Sequence, residues 1–419
     1  MSKKGILVTI TLAGLLAACS STDGTRYAVV NTNYNNPACK ISSTWCVGKH
    51  DYVPLQSKAY ASDELLLVYD AEIDTLEADN IMKAYQLKPQ KRVQLAALNV
   101  NLITANTNGQ NPVQLRQAIN ANQKTVRANT NNYYYTSLVT NPAIAPVVSS
   151  TGYPFSLTGV EAAYPFTKGK GVKIGMVDTP LDLFHESLRR ENIRLVDLVG
   201  AQEPAAKLHG TEIAGTLVSD NPKIGIAPEA SLYVVGAFGK KADGTTGTAA
   251  DIAQAIDLCI RANVDILNLS FAGDQDSLVD DMIAKAIKQG IIVVASAGNN
   301  GPSAKPAYPA ALEGVIAVTA IDNKQNVLFK ANRGDYIDLA APGVGIFTTS
   351  PQSSYKLSTG TSIATAHVSG IIALLLSMKR QGFDPNILTS TAIDLGQSGK
   401  DNDYGYGLVN LSQALKALK

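Results

Sequence analysis

A chain of 419 residues is longer than one average domain, so two globular units behind a short targeting segment are expected. Hydrophobic residues make up 45% of it and charged ones 17%, the balance of a packed fold rather than a disordered or fibrous one. Lys+Arg at 36 against Asp+Glu at 35 leaves a net charge of +1, which excludes nucleic-acid binding through a basic excess.

In chain order, Lys3 and Lys4 form a positive n-region, 5–15 an apolar stretch, and Leu16-Ala17-Ala18-Cys19 closes it with small residues. The stretch is well short of the roughly 20 residues a membrane helix needs, so it reads as an export signal. Leu-Ala-Ala-Cys resembles the bacterial lipobox, which implies a signal peptide over 1–18 and a lipid on Cys19 that holds the mature chain to a membrane. Ser20 resembles the signal for outer-membrane sorting in Gram-negative cells. Residues 19–62 are rich in Asn, Ser, Thr and Tyr without sustained periodicity and read as a tether. Within it Cys39 and Cys46, in a polar stretch of an exported chain, are candidates for a local disulfide, since an oxidising compartment favours one. A metal site with His50 would lack the fourth ligand of a closed zinc site.

A small domain is expected over 63–135. Residues 64–70 (ELLLVYD) read as a strand, 74–85 as a helix opened by an Asp cap, and 92–104 as a long strand region. Residues 112–121 read as a second helix and 125–128 as the start of a last strand. The order suggested is βαββαβ, a ferredoxin-like α+β unit with its two central strands merged in 92–104. The pattern is lost from 129 to about 155, where Asn129, Asn131, Asn132, three tyrosines, Pro142 and Pro146 read as a linker that a protease could reach; the boundary is set at 136–151.

From 152 to 419 apolar strands alternate with amphipathic helices. Strands are expected at 172–177, 232–235, 264–269, 291–295 and 315–319, with helices at 249–262 and 278–289. This alternation predicts an α/β fold: a three-layer arrangement with a parallel sheet and helices on both faces, its ligand site at the carboxyl ends of the strands. Cys259 sits among apolar residues at helical spacing and reads as a buried core thiol.

Acyl transfer by a serine needs a hydroxyl beside a base, a group that fixes the base's tautomer, and donors for the oxyanion. The chain has four histidines. His50 lies in the tether, His367 is five residues beyond Ser362 on the same expected helix, and His185 follows Asp178 in a loop suited to a structural hydrogen bond. His209 opens a helix near a strand end, the placement a base needs. Asp178 ends the 172–177 strand, where a turn role would also account for it. Ser362 precedes an apolar helix, where an N-cap role would also account for it.

The ordered motifs Asp178-Thr179, His209-Gly210-Thr211-Glu212-Ile213-Ala214-Gly215 and Gly360-Thr361-Ser362-Ile363-Ala364 resemble those of the subtilisin-like serine peptidases. Ser296-Ala297-Gly298-Asn299 resembles that family's oxyanion motif, and Ser270-Phe271-Ala272-Gly273 its substrate-binding strand end. The resemblance implies a subtilisin-like endopeptidase acting on proteins or peptides, with Ser362 as nucleophile, His209 as base, Asp178 as its orienting acid and Asn299 as oxyanion donor. It implies that 63–135 is an inhibitory propeptide, a partner of its own peptidase domain. It implies no cofactor, and the calcium that many relatives carry cannot be read from these residues. Two departures stand out: Pro180 replaces a usual Gly, and Ala366 a usual Pro. Ala272 and Ala307 match positions that are commonly glycines in the primary specificity pocket. Two other functions would leave different traces. A scaffold without turnover should have lost one of Asp178, His209, Asn299 or Ser362, and a separate partner-binding module over 63–135 would not be cut from its neighbour.

Overall fold

The computed structural model describes residues 25–29, 52–55, 59–73, 75–136, 152–188, 193–241 and 244–418. The expected signal, Cys19, Ser20, Cys39, Cys46, His50 and residues 137–151 lie outside them. The chain divides into two compact units, 1–58 and 59–419. In the first, β1 (Thr25–Val29) pairs antiparallel with β2 (Tyr52–Leu55). Both strands fall within the stretch 19–62 read as a tether, and strands this short have too few residues for an alternating pattern to show in the sequence.

The second unit begins with β3 (Tyr60–Asp70), α1 (Thr75–Ala84), β4 (Lys88–Leu95), β5 (Val100–Asn106), α2 (Pro112–Asn122) and β6 (Val126–Thr136), in the sheet order β6-β3-β5-β4. The two central strands expected within 92–104 are separated where the chain reverses at Ala96–Asn99, with Asn99 at a φ of +59° that Asn tolerates well. In β3 the side chains alternate as a pleated strand requires. Leu65, Leu67 and Tyr69 face α1 and α2, packing with Ile81, Leu115 and Ile119. Leu66 and Val68 face the other way and join the core of the larger fold.

β6 continues through the polar residues expected to be linker. Its backbone is bound first to β3 (Leu65 opposite Thr130) and then to two distant strands. Those partners lie more than a hundred residues away, so local composition did not reveal them.

The larger fold contains α3 (Tyr153–Thr158), β7 (Lys173–Asp178), β8 (Ile193–Asp197), α4 (Leu208–Val218), β9 (Ser231–Gly236), β10 (Gly239–Lys241), β11 (Gly244–Thr248), α5 (Ala249–Arg261), β12 (Ile266–Leu269), β13 (Phe271–Gly273) and α6 (Ser277–Lys288). It continues with β14 (Ile292–Ser296), β15 (Val315–Ile321), β16 (Leu339–Pro342), β17 (Ile346–Ser350), β18 (Ser354–Ser358), α7 (Thr361–Met378), α8 (Ile387–Ser390) and α9 (Leu411–Ala417). The parallel sheet runs β16-β15-β14-β12-β7-β9-β8. Ile174 and Met176 of β7 point into the core shared with α4 and α7, whereas Val177 points to α5 and α6. Helices thus cover both faces, as the alternation predicts. Helix α7 is long and apolar enough to cross a membrane by composition, yet it is a core helix, buried on nearly every side. Thr248 and Asp276 cap α5 and α6 by accepting from backbone N–H groups, which starts both helices where the strands end.

Candidate active site

Asp178 is the last residue of β7, a central strand, and lies in register with Gly236 of β9. Its Oδ1 accepts from the Thr179 N–H at 2.6 Å and stands 2.6 Å from His209 Nδ1. Both side chains are buried, Asp178 with 1% of its surface exposed and His209 with 5%. Since ionised Asp178 only accepts, Nδ1 carries the hydrogen, and the proton-accepting lone pair is on Nε2. That nitrogen is buried and has no hydrogen-bond partner among the described residues.

A short 3-10 turn (Pro204–Lys207) delivers His209 to the first turn of α4. The Gly210 N–H donates to Thr179 Oγ1 at 2.7 Å, and Thr179 Oγ1 donates to the Pro180 carbonyl at 2.9 Å. A Cβ at Gly210 would lie 2.3 Å from the Thr179 carbonyl oxygen, so only glycine lets the two segments approach. The Pro180 ring lies over Gly236, whose missing side chain leaves the room: a Cβ there would be 2.6 Å from Pro180 Cγ. That is how the fold absorbs the first departure. The second is absorbed because α7 runs unbroken through buried Ala366.

Ser362 is the second residue of α7, with Gly360 as N-cap, so capping does not account for the serine. A buried relay of polar side chains holds its backbone. Ser369 Oγ donates to Asn268 Oδ1, Asn268 Nδ2 to Ser270 Oγ, and Ser270 Oγ to the Ser362 carbonyl, at 2.9, 3.0 and 3.0 Å. Ser270 was singled out from sequence, but Asn268 and Ser369 were not. They carry no motif signal beyond being polar residues in apolar runs.

Asn299 follows β14, and its Oδ1 accepts from Thr361 N and Thr361 Oγ1 at 3.3 and 3.2 Å, which sets the carboxamide beside the start of α7. The loop is pinned by Asn332, whose Oδ1 accepts from Asn300 N at 2.8 Å and whose N–H donates to the Gly298 carbonyl at 3.0 Å. Gly298 has a φ of +95°, a conformation that favours glycine. Ala307 is buried against Gly298, and Tyr308 exchanges two backbone hydrogen bonds with Gly273.

The motif strand β13 is occupied. Phe271, Ala272 and Gly273 pair antiparallel with Thr136, Tyr135 and Tyr134 of β6, and the other edge of β6 pairs Thr248, Gly247 and Thr246 of β11 with Tyr133, Tyr134 and Tyr135. The Tyr134 side chain is fully buried against Phe271, ring centres 5.6 Å apart, where Gly273 leaves space for it. Phe271 itself turns into the core, 5.0 Å from Phe238 between ring centres.

The other histidines stand apart from this arrangement. His185 Nδ1 accepts from the Ser187 N–H at 3.1 Å, so its Nε2 donates to the Ser354 carbonyl at 2.9 Å. His367 Nδ1 donates to the Ile363 carbonyl at 2.9 Å, and complete burial pushes its pKa down to about 4. Cys259 is a free thiol whose pKa burial raises strongly. Among the described residues no three His, Cys, Asp or Glu side chains converge as metal ligands.

Residues 169–407 match the model of the subtilase family of peptidases. Subtilisin DY of Bacillus licheniformis is 34% identical over 257 residues, which covers 59% of this chain and 92% of that protein. Subtilisin E of Bacillus subtilis (strain 168) is 34% identical over 282 residues, covering 64% and 68%. The crystal structure of fervidolysin from Fervidobacterium pennivorans, a keratinolytic enzyme related to subtilisin, aligns with a TM-score of 0.70 at 26% identity, covering 86% of this chain and 62% of that longer one. With this match across the whole parallel-sheet fold, the chain belongs to the subtilase family and is a serine endopeptidase.

Proposed function

We propose that the chain is an exported lipoprotein proenzyme that cuts itself and then hydrolyses proteins or peptides through an acyl-enzyme on Ser362. In this reading Ser362 Oγ attacks the scissile carbonyl and His209 Nε2 takes its proton, while Asp178 holds the tautomer and stabilises the imidazolium. The Ser362 backbone N–H and the Asn299 amide receive the oxyanion. Collapse expels the amine, which takes the proton back from Nε2. Water then attacks the ester with His209 again as base and releases the acid. Support comes from the buried Asp178–His209 pair, joined through Nδ1 so that Nε2 is left for the proton, and from Asn299 accepting from Thr361, the residue before Ser362, at the start of α7.

The observation that carries the proenzyme reading is the seating of β6 between β11 and β13. An extended segment bound on both edges is how a peptide would lie in such a groove. From Tyr134 to Thr136 the chain runs from Gly273 toward Phe271, and the next residue of that motif, Ser270, is bonded to Ser362. The bond that is cut then follows Thr136, which narrows the window of 129–155 to its later part, and the preceding domain remains as the inhibitor. The motifs at Lys3, Lys4 and Leu16-Ala17-Ala18-Cys19 support export and a lipid on Cys19, and Ser20 supports the outer membrane of a Gram-negative cell as its destination. A Cys39–Cys46 disulfide suits that compartment.

Expression of the full chain in a Gram-negative host tests this. Wild type should be cut after Thr136 and labelled by a fluorophosphonate, whereas Ser362→Ala should stay full length and unlabelled. Cys19→Ser should leave the membrane fraction. Equal gel mobility of wild type and Ser362→Ala would sink self-processing, and labelling of Ser362→Ala would remove Ser362 as nucleophile.

A further inference from the structure

We propose that Glu212 is a positioning residue, a charged tie between the helix that carries His209 and the strand that delivers Ser362, with Lys356 as its counter-ion. The inference rests on the roles just given to His209 and Ser362. Glu212 lies three residues after His209 in α4, on the same side of the helix, and is fully buried. A buried carboxylate is unfavourable unless it is paired and hydrogen-bonded, and the reaction does not consume this one. Its Oε2 accepts from Ser358 Oγ at 2.9 Å. Lys356 Nζ stands 3.0 Å from Oε1 as a charge contact, without the alignment of a hydrogen bond.

Both partners are on β18, and that strand ends at Ser358, four residues before Ser362. One carboxylate therefore spans the gap between the element bearing the base and the element leading to the nucleophile. Around it, α4 is stitched to the same hairpin by hydroxyls. Thr348 Oγ1 donates to the Glu212 carbonyl at 2.9 Å and Thr349 Oγ1 to the Thr211 carbonyl at 2.6 Å. Gly215 permits this approach, since a Cβ there would lie 2.0 Å from Thr349 Oγ1. These backbone ties hold α4 along β17. The Glu212 side chain adds the tie to β18, nearest to Ser362. Displacement of reacting groups by about 1 Å can cost on the order of 100-fold in rate, so a tie at this place bears on turnover.

Lys356 is part-exposed, so Lys356→Met should fold while leaving the buried carboxylate without its counter-ion. In enzyme prepared from the full chain and titrated by a fluorophosphonate, kcat per labelled site should fall roughly 10- to 100-fold with KM unchanged, because the β13 groove is untouched. Glu212→Gln in the same molecule as Lys356→Met should restore most of kcat, since the amide oxygen still accepts from Ser358 and no charge is left buried. Glu212→Ala should be as impaired as Lys356→Met. A kcat per site within twofold of wild type in Lys356→Met would overturn the proposal, as would a double variant no faster than Lys356→Met. A purely structural role would lower the melting temperature and leave kcat per site alone. Ser362→Ala made alongside separates the two failures: turnover surviving in it would remove the nucleophile assignment, whatever Glu212 does.

Discussion

Two methyl groups are expected to set specificity. Ala272 and Ala307, which the family resemblance matches to pocket glycines, are both buried around the groove that β6 fills. Ala272 lies directly on the pairing strand, and Ala307 packs on the Gly298 that precedes Asn299. The expected outcome is a pocket that prefers Ala or another small residue before the scissile bond. Misfit of one methylene is worth roughly 1–3 kcal/mol in such a pocket. In the variant combining Ala272→Gly with Ala307→Gly, kcat/KM on peptides differing only at that residue should move toward Phe by about 10-fold or more. A wild type that already favours Phe over Ala would end the idea. At this scale Asp178, His209, Asn299 and Ser362 could be singled out from sequence because they lie in short ordered motifs that resemble those of the subtilisin-like peptidases. The roles of Glu212, Asn268 and Ser369 could not, because Glu212 meets Ser358 and Asn268 meets Ser369 from elements far apart in the chain.

At the level of elements, α7 carries a titratable group that the chemistry does not use. His367 is buried and neutral, with a pKa of about 4 in the fold against about 6.5 in an unfolded chain. Between those values the unfolded chain binds the extra proton, so native stability is complete above about pH 6.5 and is lost as pH falls toward 4. At pH 5 the loss from this one group should be about 2 kcal/mol. Asp276 at the start of α6 acts in the opposite direction: burial raises its carboxyl to about 6, so its contribution grows as pH falls through 6. Urea unfolding at pH 7 and pH 5, in a Ser362→Ala background to prevent self-digestion, should show a smaller difference for His367→Gln than for its parent. The same pH dependence in both would show that His367 does not titrate as its burial requires. Of the elements themselves, the five apolar strands and the α5 and α6 helices were legible within a few residues. The edge strands β8 and β16 were not, since short strands at a sheet margin carry little pattern.

Across the whole molecule, the small βαββαβ sheet lies with its second face on α5 and α6, burying Leu66, Val68, Leu95 and Leu102 in the larger core. Polar contacts surround that face. Asn131 Oδ1 accepts from Ala250 N at 3.1 Å at the start of α5, and Asn129 Nδ2 donates to Ser277 Oγ at 2.8 Å at the start of α6. The ion pairs Lys91–Asp251 at 3.3 Å and Arg127–Asp281 at 2.6 Å are exposed, and such pairs are worth about 0–1 kcal/mol. Apolar burial should therefore hold the two parts together after cleavage. In Ser362→Ala cut between them by an added protease, 1 M salt should leave the pieces together on gel filtration, whereas Leu66→Asp should let them separate. Release by salt alone would assign the association to the ion pairs instead.

The sequence by itself determined the fold class and the family, because strand and helix periods are local and each motif residue is recognisable in a short window. It also placed Asp178 at a strand end and His209 at a helix start. Only the tertiary structure decided that their side chains meet at 2.6 Å. Only it decided that residues 129–136, polar enough to read as a linker, are a strand held between β11 and β13. The physical reason is the same in both cases: a hydrogen bond depends on which partner the chain brings across from elsewhere, and composition near a residue does not record the groups that arrive from a hundred residues away.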